Sequence, residues 1–165
     1  MNIRFAIITC SDTRSLETDE AGAALEALII EHGWSVASHV VVKDDAMQIR
    51  TAICRASDGG VADIVLTCGG TGLSPRDVTP EATRAVCERD VPGIAEAMRA
   101  ASMEKTRRAM LSRAVCMQRF VATAEGMRLA LVINLPGSTK AATECFEAVC
   151  DQFEHAMKMT AGKGH

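Results

Sequence analysis

The sequence predicts an α/β domain, a three-layer sandwich in which helices cover both faces of a mostly parallel sheet. Short apolar runs typical of buried strands alternate along the chain with longer segments of helical periodicity. A glycine-rich turn, Gly69-Gly70-Thr71-Gly72, separates the apolar run 64–66 from a segment that begins like a helix. No repeat or linker divides the 165 residues, so we expect a single domain over 1–165 with a flexible tail from about residue 160.

Five segments are predicted as strands because they are apolar and rich in β-branched residues. The turn Glu125-Gly126-Met127 is predicted to join the last two of them as a hairpin. His39, inside the second strand, has no partner nearby in the sequence and is interpreted as structural. The predicted strands are 4–10, 34–42, 63–68, 115–122 and 128–135.

Five further segments have helical patterns with recognisable ends. The first opens at Thr18-Asp19-Glu20 and closes at Gly33, the usual C-terminal glycine. Thr79 is predicted as an N-cap, with Pro80 at the first helical position. Residues 104–113 are predicted as a short helix or turn whose arginines are more typical of a solvated face than of a site. The predicted helices are 18–33, 46–56, 79–89, 94–103 and 141–159.

The composition disfavours several classes of function. The net charge of −3 provides no basic surface for nucleic acid or anionic lipid. Aromatic residues make up 3% of the chain and Tyr is missing, which disfavours a platform that stacks bases. The longest apolar runs, 5–8 and 129–133, are too short to cross a bilayer. We therefore expect no nucleic-acid and no membrane partner.

Cysteine usage and the amino terminus predict a cytoplasmic protein. Seven cysteines, an odd number without any C-x-x-C pair, favour idle thiols in a reducing compartment. The first four residues lead directly into a strand and lack the anatomy of a signal peptide. Cys68, beside the glycine-rich turn, is a minor candidate nucleophile, because no histidine lies close to it in the sequence.

The stretch 64–82 predicts a strand, a glycine-rich loop and a helix N-terminus, a common way to bind anions through backbone N–H groups. It lacks the Lys of a P-loop and the third Gly of a dinucleotide-binding fingerprint. Arg76 in this loop is able to hold a phosphate, and Asp77 is able to hold a metal ion. The alternative is a plain glycine-rich turn, which the Arg-Asp pair and the helix start disfavour.

Polar residues also follow the first two predicted strands. Ser11 and Asp12 lie at the carboxyl end of the first strand, where ligands usually bind in an open α/β sheet, although both residue types also favour ordinary turns. Asp44 and Asp45 end the second strand, either as an N-cap for the next helix or as metal ligands. The cap is the favoured interpretation, and one carboxylate is available for a metal only if its neighbour takes the cap.

The chain contains three further signals in a fixed order, the motifs Gly69-Gly70-Thr71-Gly72, Arg76-Asp77-Val78-Thr79-Pro80-Glu81-Ala82 and Asn134-Leu135-Pro136-Gly137-Ser138. Together these motifs resemble the MoaB/Mog family of molybdenum-cofactor biosynthesis proteins, the molybdopterin adenylyltransferases. Supporting matches include Ser11-Asp12-Thr13-Arg14 and Leu111-Ser112-Arg113, and the details are more similar to the MoaB branch. The resemblance runs from residue 3 to about 157.

The resemblance implies a reaction in which the terminal phosphate of molybdopterin attacks the α-phosphorus of ATP and pyrophosphate leaves, with Mg²⁺ assisting. Asp44 and Asp77 match the two acidic catalytic positions and are expected to hold Mg²⁺, directly or through water. Arg76 and Lys140 are suited to hold phosphate. The residues expected to bind nucleotide or molybdopterin are Ser11, Gly69, Gly70, Thr71, Gly72, Ser74, Arg76, Thr79, Pro136, Gly137, Ser138 and Lys140.

The resemblance further implies a homo-oligomer, a trimer or a hexamer, with the hexamer favoured, and a partner protein that inserts the metal. Thr139 stands where many members have a proline, a departure confined to the second loop. One alternative is a molybdopterin-binding or carrier protein without catalysis, which gains nothing from two acids unless a cation is present. Another is a generic nucleotide-binding α/β domain, which leaves the Asn-Leu-Pro-Gly-Ser motif unexplained.

Overall fold

Six strands and six α-helices make up the computed structural model, which describes residues 1–162. None of the described helices is long and apolar enough to span a membrane. The strands are β1 (Arg4–Cys10), β2 (Ser35–Val42), β3 (Ile64–Cys68), β4 (Arg89–Asp90), β5 (Cys116–Thr123) and β6 (Gly126–Leu135). The helices are α1 (Glu20–Glu31), α2 (Ala46–Ser57), α3 (Thr79–Arg84), α4 (Pro92–Met103), α5 (Thr139–Glu147) and α6 (Phe153–Thr160).

The sheet has the strand order β2-β1-β3-β6-β5-β4. β1 pairs parallel with β2 and β3, and β3 pairs parallel with β6, whereas β5 is antiparallel to both β6 and β4. The chain leaves β1 for the edge strand β2 and then crosses back to β3 on the other side of β1. Neighbouring loops diverge where the strand order reverses in this way, and a crevice opens at the carboxyl ends of the strands.

Alternate side chains of the strands supply two hydrophobic cores. On one face, Phe5 and Ile7 pack with α1, α4, α5 and α6; on the other, Ala6 and Ile8 pack with α2 and α3. The first core also holds Trp34, whose ring lies 5.4 Å from that of Phe5. This arrangement confirms the predicted α/β sandwich with a mostly parallel sheet.

Local capping signals account for three of the helix starts. The Asp19 carboxylate accepts from the N–H of Gly22 at the start of α1, and Asp45 accepts from the N–H of Gln48 at the start of α2. The Ser138 hydroxyl accepts from the N–H of Ala141 in the same way at α5. Of Asp44 and Asp45, it is therefore Asp45 that forms the predicted N-cap, and the carboxylate of Asp44 is available for another role.

Two predicted details of α3 are wrong. Thr79 is the first residue of α3 rather than its N-cap, because its N–H donates to Gly70 O and its side chain turns into the interior. α3 ends at Arg84 instead of residue 89, and the chain continues into the short exposed strand β4.

The segment predicted as one helix over 141–159 is two helices. Val149 leaves the helical conformation with φ −133°, and a 3-10 turn, Cys150–Gln152, follows before α6. The break allows Phe146 and Phe153 to approach Phe5 from two directions, at ring distances of 6.2 and 5.8 Å. The expected flexible tail reaches residues 163–165, which lie outside the described residues.

His39 belongs to a buried polar network between β1, β2 and α1. Its Nε2 lies 2.8 Å from Asp19 Oδ2, and its Nδ1 lies 3.1 Å from Glu26 Oε2. The same Asp19 carboxylate accepts from the Thr9 hydroxyl and from the N–H of Gly22. Burial alone would raise the pKa of Asp19, but these hydrogen bonds lower it overall. His39 of β2 is therefore bonded to two residues of the α1 region, and Asp19 connects this pair to Thr9 of β1.

Candidate active site

The glycine-rich loop lies at the carboxyl ends of β1, β3 and β6, in the crevice of the sheet. The N–H of Gly69 donates to Leu135 O at 3.0 Å, which fixes the loop to the end of β6. Gly69 has φ +103°, and a Cβ at this position would lie 2.6 Å from Cys10 O and 3.8 Å from Gly137 Cα. Only glycine allows three loops to approach one another so closely here.

The carbonyl groups of the glycine-rich loop are tied back to the protein. Gly70 O accepts from Thr79 N at 3.1 Å, Thr71 O from Arg113 N at 2.9 Å, and Gly72 O from Arg113 Nε at 2.8 Å. Within the described residues, the N–H groups of Gly70, Thr71 and Gly72 have no acceptor. The loop therefore has its carbonyls engaged and three amide donors available, which is the arrangement that binds anions.

Carboxylates converge on the loop from the ends of β1 and β2. Asp12 N donates to Asp44 Oδ2 and Asp44 N donates to Asp12 Oδ1, both at 3.2 Å. Asp44 Oδ1 lies 3.3 Å from where a Cβ on Gly70 would stand. Partial burial and the charge of Asp12, with a further contribution from Asp77, raise the pKa of Asp44. The site thus concentrates negative charge beside the amide donors, which favours a cation at the same place.

Asp77 closes the other end of the loop. Its Oδ2 accepts from Ser74 N at 2.9 Å, and its own N–H donates to Ser74 O at 2.9 Å. The same carboxylate oxygen lies 2.9 Å from where a Cβ on Gly72 would stand, so glycine is required for this approach. Asp77 consequently lies directly against the loop, on the side of Gly72.

Arg76 is engaged in an ion pair rather than pointing freely into the site. Its guanidinium bonds the Asp12 carboxylate from Nε at 3.0 Å and from Nη2 at 2.7 Å. The hydrogen bond from Arg76 lowers the pKa of Asp12. Arg76 must leave Asp12 in order to hold a phosphate as the sequence predicted, and both side chains are exposed enough to move.

The second loop, Pro136-Gly137-Ser138, is held from two sides. The Arg14 guanidinium donates to Gly137 O at 3.0 Å, and the Cys68 thiol donates to Pro136 O at 3.1 Å. Burial raises the pKa of Cys68 to about 12, which favours the protonated thiol near neutral pH and disfavours the minor interpretation of Cys68 as a nucleophile. Lys140 lies exposed in the first turn of α5.

Ser11 orders the loop after β1. Its hydroxyl accepts from Thr13 N at 3.2 Å and from Arg14 N at 3.1 Å. Its own N–H donates to Val42 O at 2.9 Å. Ser11 therefore joins the loops that follow β1 and β2, the two loops that carry Asp12 and Asp44.

A largely apolar cavity of about 280 Å³ adjoins the glycine-rich loop. Thr71 and Gly72 form one wall, and Pro136 of the second loop forms another. Arg99 and Arg108 are the charged residues of its lining. Such a cavity is suited to a flat ring system whose polar end reaches the loop. The remaining lining residues are Ala95, Met98, Ser102, Thr106, Ala109, Leu111, Ser112, Ala114, Asn134, Ala141 and Cys145.

Sequence reasoning missed two supports of the site. Arg113, interpreted as part of a solvated face, binds the carbonyls of Gly72 and Asp77. Asn134 is fully buried and donates through Nδ2 to the hydroxyls of Thr67 and Thr83, at 2.9 Å each. Arg113 lies 41 residues from Gly72 and Asn134 lies 51 from Thr83, so the motif match, and not local sequence, was the available signal.

The side-chain oxygens beside the glycine-rich loop are suited to bind a divalent cation that also binds a phosphate. Among residues 1–162, no group of three or more His, Cys, Asp or Glu side chains is placed to enclose a metal. Asp44 and Asp77 nevertheless flank the loop amides, and the buried hydroxyl of Thr79 beside Gly70 has no hydrogen-bond partner in this part of the chain. Mg²⁺ commonly takes one or two carboxylates and completes its shell with water and phosphate oxygens, which matches this set.

Comparisons with known proteins agree on one family. The family model described as "Probable molybdopterin binding domain" matches residues 6–155. A Helicobacter pylori protein named molybdopterin adenylyltransferase is 32% identical over 165 residues, 97% of this chain and 89% of that protein. The Drosophila melanogaster molybdenum cofactor synthesis protein cinnamon is 35% identical over 96% of this chain, which spans only 26% of that longer protein.

A solved structure gives the same result for the fold. The crystal structure of the molybdopterin biosynthesis enzyme MoaB from Thermus thermophilus superposes with a TM-score of 0.82. The two chains are 37% identical, and the match covers 98% of each. The fold described above is therefore shared with a solved protein of similar sequence.

Proposed function

We propose that this chain, which belongs to the family of molybdopterin-binding domains, is a molybdopterin adenylyltransferase of molybdenum-cofactor biosynthesis. The family and its MoaB-like branch, both predicted from the motifs, are confirmed. The specific reaction, its metal and the residues that carry it are the proposal. In this reaction an oxygen of the terminal phosphate of molybdopterin forms a bond to the α-phosphorus of ATP. The bond from that phosphorus to the bridging oxygen breaks, and pyrophosphate leaves.

One observation carries the proposal: amide donors and carboxylates meet at the same loop. Gly70, Thr71 and Gly72 offer their N–H groups, while Asp44 and Asp77 lie against the loop on either side. Amides alone would bind an anion, and carboxylates alone would bind a cation. Transfer of the adenylyl group of ATP needs both, because a polyphosphate enters such a site together with its metal ion.

The residues would act mainly through position and charge. The loop amides would bind non-bridging phosphate oxygens and fix the α-phosphorus for in-line attack. Asp44 and Asp77 would hold Mg²⁺, which when bound would neutralise charge on the phosphates. Arg76 would leave Asp12 and bind the departing pyrophosphate through two N–H groups of its guanidinium. Lys140 would add a positive charge near the second loop.

The apolar cavity beside the loop is proposed to take a ring system of one substrate. Its wall of Thr71 and Gly72 is continuous with the loop amides, so a ring in the cavity carries its phosphate to the site. Ser11, Pro136, Gly137 and Ser138 would line the approach from the neighbouring strand ends, and Gly69, Ser74 and Thr79 would maintain the shape of the loop.

The test is a turnover assay with molybdopterin, ATP and Mg²⁺ that follows adenylylated pterin and pyrophosphate. The wild type is compared with Asp77→Asn and with the control Asp90→Asn, an equal change on an exposed carboxylate outside the site. Charge stabilisation by a bound metal is worth several kcal/mol, so Asp77→Asn should lower kcat by on the order of a hundredfold or more. Asp90→Asn should leave kcat unchanged.

The outcomes separate the alternatives. Turnover by the wild type and by Asp90→Asn, but not by Asp77→Asn, supports the enzyme and the role of Asp77. If Asp77→Asn turns over as fast as the wild type, Asp77 does not have the proposed role. If neither the wild type nor any variant turns over, and molybdopterin still binds tightly, the chain is a binding or carrier protein and not an adenylyltransferase.

The resemblance also supports a homo-oligomer, with a hexamer favoured over a trimer, and a partner protein that inserts the metal. The cysteine usage supports a cytoplasmic location. Light scattering on the purified protein measures the mass of the assembly. A mass of one chain contradicts the oligomer.

A further inference from the structure

Among the described residues, every hydrogen bond from the segment 106–114 to the glycine-rich loop comes from Arg113. Its backbone N–H donates to Thr71 O at 2.9 Å, and its Nε donates to Gly72 O at 2.8 Å. Its Nη2 donates to Asp77 O at 2.6 Å. Arg113 thus binds two carbonyl groups of the glycine-rich loop and the carbonyl group of Asp77, which follows it.

The side chain of Arg113 is itself held in place. Its Nη1 pairs with Glu81 in the first turn of α3, and this hydrogen bond lowers the pKa of Glu81. The guanidinium is planar and offers five donors in a fixed geometry, so it is able to bind Gly72, Asp77 and Glu81 at once. A lysine has one compact ammonium and is too small to bridge the same three acceptors.

The direction of the loop carbonyls determines the direction of the loop amides. A peptide unit is planar, so a carbonyl that points towards Arg113 forces the N–H of the next residue to point away from it. The bonds to Thr71 O and Gly72 O therefore aim the amides of Gly72 and Leu73 away from the segment 106–114. The bond to Asp77 O fixes the backbone from which the Asp77 carboxylate projects.

We propose that Arg113 is a positioning residue, which aims the amides of Gly72 and Leu73 at a phosphate site and holds the backbone from which the Asp77 carboxylate projects. The catalytic part of this inference rests on the proposed function, because the phosphate is that of ATP or molybdopterin. The structural part does not, because Arg113 orders the loop whatever the ligand. Arg113 also links the loop to the cavity wall, since Ser112 and Ala114 line the cavity on either side of it.

The experiment compares Arg113→Ala and Arg113→Lys with the control Arg84→Ala. Arg84 makes an exposed ion pair with Asp90 at the end of α3, outside the site. All three variants keep the backbone N–H of residue 113, so the bond to Thr71 O is retained and only side-chain contacts change. Two readouts are collected: kcat and KM per folded molecule, and amide hydrogen exchange of peptides from 70–79 and from β1.

We expect both Arg113 variants to lose kcat by on the order of a hundredfold, the size of effect produced by a misplacement of about 1 Å. The KM for ATP should change much less than kcat. Exchange should accelerate in 70–79 but not in β1, which shows that the loop has loosened without global unfolding. Guanidinium chloride below its unfolding range should partly restore kcat of Arg113→Ala, and an equal concentration of sodium chloride should not.

Other results overturn the proposal. If Arg113→Lys has normal kcat and normal exchange in 70–79, the guanidinium does not position the loop. If exchange rises equally in 70–79 and in β1, Arg113 acts on global stability alone. If the wild type shows no turnover, the proposed function fails, and hydrogen exchange alone decides whether Arg113 orders the loop.

Discussion

Replacement of Gly70 by alanine separates backbone strain from steric overlap at the centre of the site. Gly70 has φ +67°, and a Cβ there would overlap the Thr79 hydroxyl and lie 3.3 Å from Asp44 Oδ1. Gly59 has φ +66°, and a Cβ on it would meet nothing within 4 Å. The two glycines therefore have nearly the same φ and differ in what a methyl group would contact.

The expected losses in the free energy of unfolding follow from these surroundings. Left-handed backbone costs an L-residue about 1–2 kcal/mol, offset in part by about 0.4–1 kcal/mol because alanine restricts the unfolded chain. We expect Gly59→Ala to lower the free energy of unfolding by about 1 kcal/mol. Gly70→Ala should add the effect of overpacking around buried Thr79, about 1–3 kcal/mol, for a total of about 2–4 kcal/mol.

Urea unfolding measured by tryptophan fluorescence gives these values, because Trp34 is the single tryptophan and lies in the core. The double variant Gly70→Ala/Thr79→Ala removes the hydroxyl that the new methyl group meets. It should therefore be more stable than the sum of the single changes predicts, by most of the overlap energy. Equal losses for Gly59→Ala and Gly70→Ala, or strict additivity in the double variant, would refute the reasoning.

Two further predictions concern buried polar groups. The lowered pKa of Asp19 means that its contribution to stability is present above the unfolded value of about 3.9 and is lost as the pH falls below it. Asp19→Asn should therefore flatten the dependence of the unfolding free energy on pH below about 4, and an unchanged slope contradicts the network. Asn134→Leu leaves the Val115 N–H and the hydroxyls of Thr67 and Thr83 without their hydrogen-bond partner. It should cost about 2–4 kcal/mol by thermal or urea unfolding, and a loss below about 1 kcal/mol would show that these groups find other partners.

Local signals in the sequence predicted most of the elements correctly. Asp19 and Asp45 cap the helices that follow them because a cap depends only on the next three residues. The two adjacent carboxylates after β2 have the separate roles that the sequence allowed. Asp45 caps α2, and Asp44 accepts from the N–H of Asp12 in the loop after β1. Such interactions are readable from the sequence because both partners are neighbours in it.

The features that sequence reasoning missed depend on contacts between distant segments. Arg76 pairs with Asp12 across 64 positions, and Arg113 reaches Gly72 across 41. Periodicity cannot reveal either pair, because an arginine in an irregular polar segment has the same local pattern whether it binds water or a carbonyl. The break after α5 had a similar cause, since it follows from how Phe146 and Phe153 pack on Phe5.

The three carboxylates of the site come from three separate strand ends, which has a consequence for measurements of ligand affinity. Asp12, Asp44 and Asp77 are far apart in the unfolded chain and meet only when β1, β2 and β3 are in register. A nucleotide with its metal ion should therefore bind the native state alone. Its dissociation constant then follows from the rise in melting temperature with ligand concentration, because stability grows as RT ln(1 + [L]/Kd). A thermal melt of the purified chain thus serves as a titration even before any product is detected.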